Sequence, residues 1–380
     1  MLTNEQHYIL SLLQESIKGE KIEEPSYKDY MKISNIIMDN SILLTVYLKL
    51  PAKLQAQLNK SYLAAIKQSV NQKYEGEQVL YALSDSGFSC IALKGWELRK
   101  MYPKPTMRQM ADMDILVREY EFKKLCAVME HLEFVSVSGT ESSWKHDSFR
   151  KQDVNVEMHK RLTDDSGVIR AWEREIWDRA TRVNGNIYKL SLEDQYLFHI
   201  VHLYKDFLNG SLGLRRIVDT WLLQKQDVNM KIVKKYLESF GMEQFHERMV
   251  KLSRVTMGDE PIDEDSEVLL VHAFTYGIYG SEKSYKAGRI VAMGGSLKKG
   301  KIKSKLAAVF LPYGRMKAQF PIIEKWPILL PYYWFKRIAH FLKGDINKNR
   351  RMLDYSNVNE TDYEEMKRFF EAGGIKKSAL

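Results

Sequence analysis

The sequence predicts an α+β protein in which a compact α/β stretch is set between predominantly helical segments. Three observations carry this reading. Apolar residues keep helical spacing up to about residue 85; at Gly87 the pattern changes to short apolar runs and alternating strands; helical periodicity returns from Arg170. Units of about 150 residues allow two or three in a chain of this length. The segments read from the pattern are 1–85, 86–165, 166–284 and 285–380. At 44% hydrophobic and 28% charged residues the chain can bury a full core, which excludes wholesale disorder. No apolar run approaches the ~18–20 residues of a membrane-spanning helix, so no integral membrane contact is expected. The opening MLTNEQHYIL does not read as a secretory signal. Cys90 and Cys126 lack C-x-x-C spacing or a histidine pair, and read as reduced thiols of a cytoplasmic protein.

Taken in order, Thr3 and Gln6 have capping-box spacing ahead of Ile9–Ile17, and Gly19 supplies the stop. From Ser41 to Tyr81, Leu54, Leu58, Leu63, Ile66 and Val70 trace a helical stripe. Phe88–Leu93 is a buried-strand pattern, followed by Lys94-Gly95 at the start of a short helix and by a Pro-rich loop at 102–105. Met110–Val117 reads as a second strand, Glu119–His131 as a helix, Phe134–Ser138 as a third strand, and 144–162 as one or two more. Asn209-Gly210 breaks the helical region, and a last helix capped by Thr361 and Glu364 closes the pattern at Gly373.

Two carboxylates, Asp112 and Asp114, flank Met113 on the second strand. Alternation puts both on one face, where they repel unless a cation lies between them. Mg²⁺ prefers such hard oxygen ligands together with phosphates. Residues 153–159 (DVNVEMH) alternate strictly, so Asn155, Glu157 and His159 share a face opposite Val154, Val156 and Met158. Beside the Asp112 strand, Glu157 becomes a third carboxylate, an assembly suited to two-ion phosphoryl chemistry. Asp114→Ala is expected to leave the melting temperature little changed or raised, since it removes one of several mutually repelling carboxylates. Lys94-Gly95 at a strand-to-helix turn offers backbone N–H groups to phosphate, with Lys94 and Arg108 as neutralising charges.

The succession IALKG (91–95), MYPKPTMRQMADMDILV (101–117) and VNVEMHKRL (154–162) resembles the uncharacterised nucleotidyltransferase family of the polymerase-β-like nucleotidyltransferase superfamily. The resemblance implies a small mixed-sheet nucleotidyltransferase-type domain in which Asp112, Asp114 and Glu157 hold two Mg²⁺ ions around a nucleoside triphosphate such as ATP. It implies an enzyme that moves a nucleoside monophosphate to an acceptor (small molecule, protein or RNA) and releases pyrophosphate, cradled by Lys94, the Gly95 N–H and Arg108. Glu157 would double as proton acceptor; His159, which shares its strand face, reads as orienting Glu157, contacting substrate, or serving as a hydrogen-bonded structural histidine. The superfamily usually carries Gly-Ser or Gly-Gly at the phosphate turn, where this chain has Lys94-Gly95-Trp96. A weaker likeness runs to about Leu223 and makes this region the helical wall facing the nucleotide, from which Lys205 and Arg216 would reach phosphates or base. Taken singly, each of these, like His199, His202, Arg215 and Asp219 around them, reads rather as part of a solvated charged face or a structural ion pair.

The charge is uneven. With 58 Lys/Arg and 49 Asp/Glu the chain is +9, yet residues 285–352 hold sixteen basic residues against two acids, +14, leaving 9 − 14 = −5 elsewhere. Lys298, Lys299, Lys301, Lys303 and Lys305 interrupt a Gly/Ser-containing stretch that reads as a mobile loop. Residues 322–341 are aromatic-rich and broken by Pro327 and Pro331. Nucleic acid or an anionic membrane surface would fit this segment. The favoured expectation is that the aromatics pack inward while the lysines stay in water. Two other functions remain: a non-catalytic nucleotide or nucleic-acid binder that retains the fold, and an interaction protein that uses the basic segment.

Overall fold

The computed structural model of the chain describes residues 1–20, 29–119, 122–137, 146–163, 167–311, 313–320, 322–343 and 354–375. Helix α1 (Asn4–Lys18) starts where Thr3 Oγ1 accepts from the Gln6 N–H and the Gln6 side chain accepts from the Thr3 N–H. It ends at Gly19, whose φ of 80° is left-handed. After α2 (Tyr30–Asp39) and α3 (Leu43–Val46) comes α4 (Ala52–Asp85), the longest described helix. Leu54 and Leu58 of α4 are buried as expected, whereas Leu63 and Val70 are exposed. The buried stripe runs instead through Ala65, Ser69, Gln72 and Gly76, small or polar residues. The helix there crosses close to backbone: Gln72 Nε2 donates to the Met110 carbonyl at 3.2 Å. A Cβ on Gly76 would lie 2.4 Å from Met113 Sδ and 2.7 Å from the Trp96 ring.

The middle of the chain supplies β1 (Cys90–Ala92), α5 (Gly95–Leu98), β2 (Met113–Val117), α6 (Phe122–His131), β3 (Val135–Ser136), β4 (His146–Lys151) and β5 (Val154–His159). Two short helices, α7 (Val168–Arg174) and α8 (Ile176–Arg179), lead to the hairpin β6 (Thr181–Asn184) and β7 (Ile187–Lys189). All seven strands form one mixed sheet in the order β3-β4-β5-β2-β1-β7-β6. The sheet therefore runs past residue 165, and the helical periodicity expected from Arg170 is interrupted by a hairpin turning at Gly185 (φ 51°). β2 pairs in parallel with β5 and antiparallel with β1.

The sheet is covered on both faces, which is why β2 is buried along its whole length. Cys90, Ala92, Met113, Ile115, Val117, Val154, Val156 and Met158 pack beneath α4 and α6 with Val79, Leu83, Leu125 and Met129. Ile91, Leu93 and Leu116 join the larger core built by the helical body. That body comprises α9 (Leu192–Leu208), α10 (Leu214–Gln224), α11 (Met230–Phe240), α12 (Glu243–Thr256), α13 (Glu264–Tyr276) and α14 (Glu282–Ala292). The break between α9 and α10 falls at Asn209-Gly210, as the sequence indicates.

The lysine-rich stretch is not a loop. It is helix α15 (Leu297–Val309), with Ser296 as its N-cap and Gly300 as a packing contact where a Cβ would sit 2.7 Å from Ile290. The same Ser and Gly that look like loop residues in sequence are a cap and a close approach in space. α16 (Tyr313–Gln319), α17 (Ile322–Lys325) and α18 (Leu330–Lys343) follow. The last helix, Glu360–Ala372, is capped by a box between Asn359 and Asp362, two residues before the expected Thr361–Glu364 pair.

Candidate active site

Register decides the site. Asp114 is the direct partner of Glu157, and Leu116 of His159, so in this parallel pair Asp114, Glu157 and His159 lie on one face of the sheet. Asp112 stands just before β2 and lines the same cleft. This cleft, of about 280 Å³, opens between the sheet and the α9–α10 pair. On the sheet side it is lined by Lys94, Gly95, Arg108, Asp112, Asp114 and Glu157. On the helical side it is lined by Gln195, Phe198, His199, His202, Arg215, Arg216 and Asp219, with Tyr279 at its margin.

The turn after β1 is tight. Trp96 N–H donates to the Leu93 carbonyl at 3.2 Å, and Lys94 has φ 43° and ψ −116°. That is the first central position of a type II′ turn, which favours glycine, so the lysine backbone is strained there. The strain places the Lys94 ammonium 2.8 Å from Asp114 Oδ1. The expected row of free N–H groups is smaller than supposed. Those of Trp96, Glu97 and Leu98 are taken by the Leu93 and Lys94 carbonyls, which leaves the Gly95 N–H as the turn's candidate donor. A Cβ on Gly95 would lie 2.6 Å from Arg108 Nη1, so the glycine is what lets the guanidinium approach.

Asp114 is 4% exposed and accepts from both Lys94 and His159 Nε2, the latter at 2.6 Å. Burial acts to raise its carboxyl, and the two cationic donors overcome this and hold it far below the usual range. Asp112 goes the other way. Burial, then the charge of Asp114, push its carboxyl up to about 6. His159 is buried, with Nδ1 3.3 Å from the Arg161 carbonyl and Nε2 against Asp114, so both nitrogens face acceptors. Burial opposes its protonation, but its bonds to Asp114 and Glu157 raise it above the ordinary imidazole value. The His159 hydrogen bond, working against partial burial, holds Glu157 below the usual carboxylate range.

His159 thus departs from one expectation. It does not line the cleft, and at 3% exposure it has no surface to offer a substrate. It stands between Asp114 and Glu157, 3.3 Å from Glu157 Oε2, and orients both. Among the described residues, His146, Glu157 and His159 are the trio whose ligand atoms all lie within 4.8 Å of one another. Asp112 and Asp114 remain the hard oxygen donors facing the cleft. Asp112, raised by burial and then by the charge of Asp114, faces the cleft with Asp114, and Glu157 is in register beside them. These are oxygen donors of the kind a divalent cation takes, although their ligand atoms do not all come within 4.8 Å of one another. These residues fit such an ion.

Arg108 lines the cleft, but its Nε and Nη2 are spent on Asp219, at 2.8 and 2.7 Å, and Tyr102 donates to the same carboxylate at 2.9 Å. Arg216 pairs with Asp206, and His202 Nδ1 lies 2.8 Å from that carboxylate. Lys205 is exposed and does not line the cleft, although it lies one turn beyond His202 on α9 and its charge acts on that imidazole. His199 is pushed down to about 4, chiefly by burial, and bonds Thr220 Oγ1 at 2.8 Å. Two buried groups in the cleft lack a partner among the described residues: Gln195 Nε2 and Arg215 Nε. Gln195 was not legible as a site residue, and Arg215 and Asp219 stand out in the sequence beside Arg216 without being placed at the site. Their one signal is the i, i+4 spacing of Arg215 and Asp219 on a helix that sequence alone does not orient.

The cleft thus sets a strand carboxylate in register with a second one, beside a strained lysine turn and facing a basic helical wall. The chain belongs to the uncharacterised nucleotidyltransferase family, whose model matches residues 5–258. No curated protein matches it. Among solved structures it is similar to the antibiotic-resistance factor ANT(2'')-Ia in solution. The identity is 13% and the TM-score 0.35, over 46% of this chain and 92% of that one.

Proposed function

We propose that this chain is a divalent-metal-dependent nucleotidyltransferase that moves a nucleoside monophosphate from a nucleoside triphosphate to an acceptor, releasing pyrophosphate. The observation that carries the reading is the register pairing of Asp114 with Glu157 on the face that opens to the cleft. Asp112 and Asp114 are the residues that would hold Mg²⁺, with Glu157 beside them. Bound there, the ions would offset phosphate charge and acidify the acceptor hydroxyl. Lys94 donates to Asp114 in the free protein and is near enough to transfer that hydrogen bond to a phosphate oxygen. Arg108 contributes its remaining Nη1, next to Gly95, while Asp219 fixes its fork. Gln195 Nε2 and Arg215 Nε, buried without partners, support a polar ligand in the same cleft, since leaving such groups unpaired is costly. Glu157, held low by His159, is a weak proton acceptor, and no other side chain on the sheet is better placed.

A second reading, nucleotide binding without transfer, is favoured by one feature: Lys94 and His159 already neutralise Asp114 without an added cation. Incubating the pure protein with each labelled triphosphate, Mg²⁺ and a cell extract separates the two. Label transferred to an acceptor by the wild type and not by Asp112→Asn supports transfer. Mg²⁺-dependent triphosphate binding with no label transferred from any of the four supports the second reading.

A further inference from the structure

The basic C-terminal segment has a face that the transfer reaction does not use. One side of α18 packs inward: Trp334 Nε1 donates to the Leu311 carbonyl at 3.0 Å and its ring meets Phe310 edge-on, and Tyr333 lies against Phe320. Arg337 Nη1 donates to the Ala308 and Val309 carbonyls. To this extent the aromatics pack as the sequence suggests. The other side does not. Ile328, Tyr332 and Phe335 are 83%, 60% and 72% exposed, and their spacing of four and three residues makes one helical stripe that continues to the exposed Ala339. Trp326 flanks it at 62% exposure. On α15, Ile302 and Leu306 form a second exposed apolar row among Lys298, Lys299, Lys303 and Lys305.

From residue 297 to 343 there are eleven Lys/Arg and one acid, Glu324, which is itself paired with Lys317. We propose that this face docks on an anionic lipid surface, with Ile328, Tyr332, Phe335 and Trp326 entering the headgroup–acyl boundary and the α15 lysines meeting lipid phosphates. Charge complementarity selects an anionic partner. The side chains select a bilayer over nucleic acid. Bases need exposed ring planes, and the most exposed residue of the stripe is the aliphatic Ile328, with Ile302 and Leu306 beside the lysines. Hydrocarbon accepts aliphatic and aromatic groups alike, while Tyr and Trp suit the headgroup level and lysine stems reach past them to the phosphates. The inference is independent of the transfer reaction.

The test uses the full chain and sedimentation with vesicles of phosphatidylcholine alone or mixed with phosphatidylglycerol. Binding to the mixed vesicles should exceed binding to neutral ones by about tenfold or more and weaken with salt. Trp326 emission should shift to the blue, a shift that Trp326→Phe removes. The double variant Ile328→Ser/Phe335→Ser should lower binding by about tenfold or more, because both side chains lose their transfer into hydrocarbon. Its melting temperature should stay unchanged, since both are exposed. Three results would overturn the proposal: no sedimentation with either vesicle; tight RNA or DNA binding by a chain that ignores vesicles; or a dimer in solution that the double variant dissolves while vesicle binding is absent.

Discussion

Asp114 lies between two cationic donors, so its removal leaves the buried His159 and the half-buried Lys94 without that partner. Asp114→Ala is therefore expected to cost about 3–5 kcal/mol of stability, the usual penalty for breaking a buried pair from one side. This reverses the expectation from sequence, where carboxylate repulsion was the visible term. That expectation belongs to Asp112, whose carboxyl is the one pushed up to about 6. In chelator, Asp112→Asn should raise the melting temperature at pH 7–8 by roughly 2–4 °C. The sign follows from linkage. Between about pH 4 and 6 the folded state binds more protons at Asp112 than the unfolded chain does, so wild-type stability falls as pH rises through that window. His159 adds to the fall, because its raised value contributes stability below the ordinary imidazole range that is lost as pH rises through the folded value. The Asp112→Asn gain should vanish below about pH 4, and melting curves across pH check it. A gain that persists at low pH would show that repulsion is not its source.

Among the elements, α4 was readable as a helix, and its buried face was readable at Leu54 and Leu58 but not from Leu63 onward. Hydrophobic spacing pointed to Leu63 and Val70, while the close crossing over β2 is made by Gly76. Gly76→Ala should destabilise by about 1–3 kcal/mol through overpacking, although alanine is the better helix former in isolation. Chemical denaturation measures this, and a stabilised variant would mean that Trp96 and Met113 move aside freely. Strand β5 was fully readable, since strict alternation over 153–159 has one interpretation. The hairpin β6–β7 was not, because β6 is exposed throughout and has no alternation to read. α15 failed for a related reason: its Gly and Ser serve a cap and a helix crossing, and neither role can be told from a loop without the neighbour they touch.

At the scale of the molecule, the cleft exists because the sheet and the α9–α10 pair meet with polar groups on both sides. A triphosphate that bridges them should stabilise the whole chain by mass action, by about 2.7 kcal/mol at a hundred times its Kd. Calorimetry should find this binding only when Mg²⁺ is present, and Glu157→Gln should weaken it. Equal binding with and without metal would place the nucleotide elsewhere.

The order of helical and mixed segments, the strand character of 113–117 and 154–159, and Asp112, Asp114, Glu157 and Lys94 as candidates could all be read along the chain. These are local properties: periodicity, alternation and turn chemistry act within a few residues, and the family motif is written in the same stretches. It took the packed molecule to show that His159 stands between Asp114 and Glu157, that Arg108 is anchored by Asp219, that Lys205 is exposed outside the cleft lining, and that the stripe through Ile328 and Phe335 is left uncovered. Arg108 and Asp219 are 111 residues apart in the chain, and His159 and Asp114 are 45 apart. Pairings at that separation are fixed by how the sheet and helices dock, and no window along the chain contains both partners.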